Sequence, residues 1–344
     1  MKTVLITGAA GFLGSHLTDE MLRRGYRVIG YDNLSQGQLR NLDEAHFHPA
    51  FTFCHGDVCD RDTLFKAAGD RLDLVLHLAA FKIPRYGNVS KTLLVNSEGS
   101  LNVLHLAAHY GARFVITSTS DVYGKNPTIP FTEDSDCVLG PPTVSRWAYA
   151  ASKIFDEHLT FALSEELGFS ASVVRIFGSY GPRQHLSWWG GPQSVFIDAV
   201  LRNQVIPVHG DGLQTRSFTY VADTVRGIAD VAESECLNRE IVNIGNDTEI
   251  TILGLAELVH SLCDVPWPLQ IRLVPYNNIA NRLYEDVRRR VPGTEKAKRL
   301  IGFEAHIPLA EGLRTTIEWQ KPFVDCVPNR PAQEQTAARS EIRV

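Results

Sequence analysis

The chain has no Cys-x-x-Cys pair, no lysine- or arginine-rich arm, no apolar run long enough to cross a bilayer and no internal repeat. Each absence removes a class of protein. The six cysteines (Cys54, Cys59, Cys137, Cys236, Cys263 and Cys326) are scattered, which argues for reduced thiols in a cytoplasm rather than a disulfide framework. Cys54, His55 and Cys59 lack zinc spacing, and His105 and His109, one helical turn apart, have no third ligand, so no metal is expected. With 34 Lys and Arg against 39 Asp and Glu the net charge is -5. No basic surface follows that would track nucleic acid. The first apolar run, Val4 to Thr7, is too short for a signal segment or membrane span. It reads as a buried strand. What remains is a globular chain of 344 residues, 44% hydrophobic and 21% charged, long enough for one large domain and a smaller one.

Short apolar runs alternate with amphipathic stretches. Strands are predicted at Val4–Thr7, Arg27–Tyr31, Phe51–Cys54, Leu74–Leu78, Phe114–Thr117 and Ala171–Phe177. Between them, helical spacing covers Phe12–Arg24, Asp62–Ala68, Leu93–Tyr110 and Ser145–Leu167. This alternation predicts an α/β fold, a Rossmann-type doubly wound parallel sheet covered on both faces. After Gly181-Pro182 the pattern changes. Gln184–Gln193 reads as a Trp- and Gly-rich loop, and helices are predicted at Val195–Asn203, Asp223–Glu233, Leu253–Leu262 and Leu309–Trp319. Residues 1–180 are therefore expected to form the dinucleotide-binding domain, with part of 217–246 returning to it. Residues 181–326 would form a smaller C-terminal α/β substrate domain, and 327–344 a disordered tail. The Trp188-Trp189-Gly190-Gly191 segment reads either as a lid or as a subunit contact.

Gly8-x-x-Gly11-x-x-Gly14 stands between the first strand and the first helix. Such a turn lets backbone approach a pyrophosphate, and the helix N-terminus stabilises its charge. A glycine triplet alone can be mere packing; its place between strand and helix gives it weight. Asp32 ends the second strand, where an acid accepts hydrogen bonds from a ribose and repels a 2′-phosphate. NAD is thus the expected cofactor.

Tyr149 and Lys153 are four residues apart in a helical stretch and so share a face. A nearby ammonium favours phenolate, which lowers the tyrosine pKa and makes a general base. An ordinary helix with a solvated lysine would show the same pair. The hydroxyl-rich segment Thr117-Ser118-Thr119-Ser120-Asp121 adds polar groups at a strand's carboxyl end, where open α/β sheets bind ligands.

Together these residues resemble the extended short-chain dehydrogenase/reductases, in particular the nucleotide-sugar epimerases, dehydratases and decarboxylases. The resemblance runs from Met1 to about Trp319. It rests on Thr7-Gly8-x-x-Gly11-x-x-Gly14, Tyr31-Asp32-Asn33, Gly56-Asp57-Val58, His77-Leu78-Ala79-Ala80, Ser118 to Gly124, Tyr149-x-x-x-Lys153, Tyr180-Gly181-Pro182-Arg183 and Gly210 to Phe218. It implies that Gly8, Gly11, Phe12, Leu13, Gly14, Asp32 and Asn33 cradle NAD, with Asp57 and Val58 beside the adenine and Leu78, Ala79 and Ala80 along the dinucleotide. Asn96 would support the strand bearing the hydroxyls. Thr119 would bind the sugar 4-hydroxyl, with Ser120 and Asp121 beside it. Tyr149 would remove the proton, and Lys153 would hold both Tyr149 and the nicotinamide ribose. Lys82, Gly178, Ser179, Arg183, Arg216, Asp286 and Arg289 would contact a UDP-sugar, Arg216 at the diphosphate. The Asp286 segment reads equally as a solvated charge run. A homodimer through the Leu93–Tyr110 and Ser145–Leu167 helices is implied as well.

The shared first step would be oxidation at C4 of the sugar. A 4,6-dehydratase would carry an acid where Ser120 stands. A UDP-glucuronate decarboxylase resembles Thr-Ser-Glu where this chain has Thr119-Ser120-Asp121. Most relatives carry asparagine at Gly178; its loss is expected to open space, as in the family's uronate epimerases. The expected activity is therefore a UDP-sugar 4-epimerase, with UDP-glucuronate the favoured substrate. The alternative is a UDP-glucuronate decarboxylase. Behind these stand a 4,6-dehydratase and a non-enzymatic NAD-binding protein.

Overall fold

A computed structural model describes residues 1–82, 88–276 and 285–325. The tail expected at 327–344 lies outside the described residues. Strands β1 (Thr3–Thr7), β2 (Arg27–Asp32), β3 (Phe51–His55), β4 (Leu74–His77), β5 (Arg113–Thr119) and β6 (Ala171–Ile176) alternate with helices α1 (Phe12–Arg23), α2 (Asp43–His46), α3 (Arg61–Ala68), α4 (Val89–Tyr110) and α5 (Trp147–Leu167). Strands β7 (Ser179–Tyr180), β8 (Ile206–His209), β9 (Thr215–Ser217), β10 (Thr219–Tyr220), β11 (Glu240–Ile244), β12 (Glu249–Thr251) and β13 (Ile271–Val274) follow. Interspersed are α6 (Pro192–Leu201), α7 (Val221–Glu233), α8 (Ile252–Cys263), α9 (Glu295–Ile301) and α10 (Leu309–Asp325).

The main sheet has seven parallel strands in the order β11-β6-β5-β4-β1-β2-β3. Chain order reverses between β1 and β4, where Thr7 is in register with Tyr31 on one side and His77 on the other. Such a reversal opens a crevice at the strands' carboxyl ends. The sheet is apolar on both faces. Leu5, Val75, Phe114 and Val173 meet Val103, Leu106 and Ala107 of α4, while Val4, Ile6, Leu76 and Val174 meet Leu17 and Met21 of α1 and Val225 and Ile228 of α7. Each such side chain withdrawn from water contributes about 1.5–3 kcal/mol before entropy is counted. Strand β11, from beyond the glycine- and tryptophan-rich loop, pairs with β6, Glu240 to Ile244 against Ser172 to Ile176.

A second, smaller core gathers α6, α8 and α10 around β8, with Phe196, Ile206, Val208, Leu255, Val259 and Ile317 at its centre. The predicted helices are found with bounds shifted by a few residues; α9 was not anticipated from the sequence.

Candidate active site

A cleft of about 610 Å³ lies over the carboxyl ends of β1, β4 and β5 and is bounded by the second core. Its floor is the turn after β1. The N-cap of α1 is Gly11, extended and without side-chain cap, so the first-turn amides are left for a ligand rather than a capping side chain. A Cβ on Gly14 would fall 2.0 Å from the Gly8 carbonyl oxygen, so the helix can start this close to the strand only with glycine there. The Asp32 carboxylate accepts from Ala10 N at 3.0 Å and Leu34 N at 2.7 Å. It therefore fixes the turn that it closes. Uncapped amides, a glycine floor and an acid at the end of β2 suit a dinucleotide.

Gly8, Gly11, Phe12, Leu13, Gly14, Leu78 and Ala80 line the cleft. So do Lys82, Thr119, Ser120, Asp121, Tyr149, Gly178, Ser179, Arg183, Arg216 and Asp286. Asp32, Asn33, Asp57, Val58, Ala79, Asn96 and Lys153 do not line it. Asn33 Nδ2 donates to Asp57 Oδ2 at 2.7 Å, joining the ends of β2 and β3. Asn96 was expected to brace the hydroxyl-bearing strand. Instead it accepts from Phe81 N at 2.7 Å and donates to Ser152 Oγ at 2.9 Å, tying the loop after β4 to α5.

Thr119 Oγ1 accepts from Asp121 N at 3.2 Å. Tyr149 and Lys153 lie one turn apart on α5, but the lysine is 2% exposed and its Nζ is 2.9 Å from Asp156 Oδ2. The expected lowering of the tyrosine pKa is reversed here. Burial first, then the charges of Asp121 and Asp156, push the Tyr149 phenol above its ordinary value.

Across the cleft runs a line of alternating charges. Arg216 Nη2 is 2.7 Å from Asp286 Oδ1, which is also 2.7 Å from Arg146 Nη1. Arg146 Nη2 is 3.3 Å from Asp121 Oδ1, which is 2.8 Å from Arg290 Nη2. Burial acts to raise the Asp286 carboxyl, but Arg216, Arg146 and Arg290 outweigh it and hold the group well below the carboxylate range. Burial lowers the Arg290 guanidinium to about 10, against the pull of Asp121.

Two further expectations are corrected. Arg289 is outside the cleft, its side chain 52% exposed and paired with Glu249; Arg290 is the inward member of the triplet. Gly178 opens no space, because a Cβ there would lie 2.2 Å from the Ser217 carbonyl oxygen. Arg183 lines the cleft while pairing with Asp19 of α1 at 2.6 Å, on the glycine-turn side. Trp188 and Trp189 form part of the far wall. Trp188 stacks on His209 with centroids 4.2 Å apart, and Trp189 meets Phe81 edge-on at 5.7 Å. His109 packs against Phe65 and Tyr110. Arg146 and Arg290 were missed in the sequence, although Arg146 stands one turn before Tyr149.

Residues 4–245 match the model of the NAD dependent epimerase/dehydratase family. The chain belongs to that family. This nucleotide-sugar family member is 37% identical over 320 residues to UDP-glucuronic acid decarboxylase 1 of Danio rerio, covering 92% of this chain and 72% of the relative. It is 34% identical over 321 residues to the UDP-N-acetyl-alpha-D-glucosaminuronate decarboxylase of Bacillus cytotoxicus, covering 92% and 97%. Among solved structures it resembles the UDP-glucuronic acid 4-epimerase of Bacillus cereus, in complex with UDP-glucuronic acid and NAD. The TM-score is 0.83 at 25% identity, over 93% of this chain and 99% of that one. The family member's cofactor is NAD. No helix among the described residues is long and apolar enough to cross a membrane.

Proposed function

We propose that the protein oxidises a UDP-uronate at C4 and then releases its C6 carboxylate as carbon dioxide, as a UDP-glucuronate decarboxylase. The observation that carries this is Arg290, enclosed in the cleft and paired with Asp121. Three guanidiniums (Arg146, Arg216 and Arg290) share two carboxylates (Asp121 and Asp286) in that line. The excess positive charge suits a ligand that is anionic at both ends, a diphosphate and a uronate. Two relatives named for decarboxylation of UDP-uronates support the same reading. Residues 1–180 with the returning strand form the cofactor half, and 181–326 the nucleotide-sugar half.

Bound NAD supplies a hydride acceptor for C4 and a hydride donor at the end of the cycle. The glycine turn and the first amides of α1 hold its pyrophosphate. Thr119 orients the 4-hydroxyl, and Tyr149 takes its proton. Arg216 neutralises the diphosphate. The 4-keto uronate is a β-keto acid, so its C5–C6 bond breaks readily once the ketone forms. Arg290 receives the C6 carboxylate beside Asp121, and repulsion between the two carboxylates is relieved when carbon dioxide leaves. The electron pair of the broken C5–C6 bond stays as the C4–C5 enolate, which takes up a solvent proton at C5, and Tyr149 gives its proton back to O4 as C4 regains hydride. Helices α4 and α5 expose Leu93, Leu94, Leu101 and Phe155, a face suited to a homodimer.

A second reading is UDP-glucuronate 4-epimerisation. It is favoured by the fold match to a uronate epimerase and by Asp121, which is one methylene shorter than the glutamate of Thr-Ser-Glu. The experiment is mass analysis of the product from UDP-glucuronate and NAD. Loss of carbon dioxide is the expected result. Unchanged mass with inversion at C4 would replace decarboxylation by epimerisation, and turnover of UDP-glucose alone would sink both.

A further inference from the structure

The pairing of Lys153 with Asp156 is unused by the chemistry above. Both side chains belong to α5, at i and i+3, and are 2% and 0% exposed with Nζ 2.9 Å from Oδ2. A buried carboxylate is costly to keep charged, and one beside the ammonium that a tyrosine base needs competes with that tyrosine for it. Asp156 Oδ1 is buried and makes no hydrogen bond among the described residues. This carboxylate is therefore held chiefly by Lys153.

The surroundings leave Asp156 little other charge to answer. On its own helix, Glu157 is taken up by Arg175 of β6, Oε2 to Nη2 at 2.7 Å, and by the Ser118 hydroxyl. From α4, Ser100 faces the carboxylate without closing a hydrogen bond onto Oδ1. Ser100 also contacts His77 Nε2 of β4 at 3.1 Å, and the opposite ring nitrogen of that histidine meets Thr7 Oγ1 of β1 at 2.7 Å. Burial, and secondarily the Lys153 charge, lower the His77 pKa to about 3, so this ring is neutral and adds no cation. From the cleft side the acid facing Tyr149 is Asp121, itself held by Arg146 and Arg290.

We propose that Asp156 is a positioning residue that anchors the Lys153 ammonium to the body of α5 and so sets the pH at which Tyr149 can work as a base. The carboxylate and the phenolate draw on one cation. While Asp156 holds it, loss of the phenol proton is less favoured, and the enzyme's working range moves to alkaline pH. Removing the carboxylate frees the Lys153 ammonium to answer the phenolate one turn away on α5. The inference rests on Tyr149 being the base, and a Tyr149→Phe variant tests that separately: full activity there defeats the base assignment, whatever Asp156 does.

The test is the pH dependence of kcat/KM for the NAD-loaded enzyme on UDP-glucuronate, in the wild type and in Asp156→Asn. In the wild type the rising limb is expected above about pH 8, because an unopposed lysine would draw a phenol below that. In Asp156→Asn the limb moves down by about one pH unit or more, seen as roughly tenfold higher activity one unit below the wild-type limb. A wild-type limb below pH 8, or an unmoved limb in a variant that still binds NAD, overturns the proposal. If Asp156→Asn does not fold, ultraviolet titration of the wild type against Tyr149→Phe decides: a Tyr149 pKa above 8 in the holoenzyme supports the inference, and one below 8 overturns it.

Discussion

Arg290 places Nη2 2.8 Å from Asp121 Oδ1, joining the segment before α9 to the hydroxyl-rich end of β5. Asp121 also meets Arg146, at 3.3 Å, and both Arg290 and Asp121 line the cleft. If this guanidinium receives a uronate carboxylate, replacing it leaves that carboxylate facing Asp121 with the Arg290 charge gone, while Arg146 stays on Asp121. Loss of one partner in such an enclosed charge pair costs about 2–5 kcal/mol. Arg290→Gln is therefore expected to lower kcat/KM for UDP-glucuronate by about 30-fold or more. Arg289→Gln, exposed on Glu249, should change it little. Equal effects in the two variants, measured by steady-state kinetics, would remove Arg290 from the substrate site.

Gly178 lies between β6 and β7, with φ +48° and its Cβ direction filled by the Ser217 carbonyl oxygen at 2.2 Å. Thr219 N donates to the Gly178 carbonyl at 3.1 Å, so the two backbones are pinned together. Asparagine tolerates a left-handed φ, but its Cβ cannot share space with that oxygen. Gly178→Asn should thus destabilise the fold by about 1–3 kcal/mol and lower the thermal midpoint. An unchanged midpoint by calorimetry would mean that β9 moves aside freely.

How much of this was legible in the sequence depended on periodicity. Strand and helix alternation carried the sheet, and the four-residue interval of Tyr149 and Lys153 placed them on one face of α5. The glycine turn was readable because three spaced glycines between strand and helix have few other uses. Arg290 was not readable, because three consecutive arginines carry no mark of which one turns inward. In the folded chain Arg288 pairs with Asp211 and Arg289 with Glu249 at the surface, while Arg290 meets Asp121. Asp156 was hidden for a different reason. An acid at i+3 from a lysine ordinarily signals a solvated helix pair, and only the packing of α5 against α4 and β5 makes it a buried one. Gly178 misled in the opposite direction, since a missing side chain reads as space until the neighbouring backbone is placed.

The apolar face on α4 and α5 supports a prediction about assembly. Leu94 is 63% and Phe155 51% exposed, and the two helices pack against each other. Water contact with such side chains is relieved when a second copy covers them. The wild type is expected to run as a dimer by light scattering, and the double variant Leu94→Glu with Phe155→Glu as a monomer. A wild-type monomer at micromolar concentration would leave the face without its proposed partner.

His16 supplies a pH dependence of stability. It sits on α1, its Nε2 donates to the Pro182 carbonyl oxygen at 3.0 Å, and burial, joined by the Arg183 charge, lowers its pKa from 6.5 to about 4. The folded value thus lies below the unfolded one. Between about pH 4 and 6.5 the unfolded chain binds a proton that the folded chain refuses, so stability falls as pH drops through that window and is complete above it. His77 acts with the same sign. Asp19 and Asp32, raised by burial, act with the opposite sign, so a variant is needed to isolate the histidine. His16→Gln keeps an N–H for Pro182 and cannot take up the proton. From pH 7.5 to pH 5 the wild type should lose about 2 kcal/mol more unfolding free energy than this variant, measured by urea denaturation. Parallel losses in the two proteins would show that His16 is protonated without strain in the folded state, and that the contact between α1 and the Pro182 turn survives its charge.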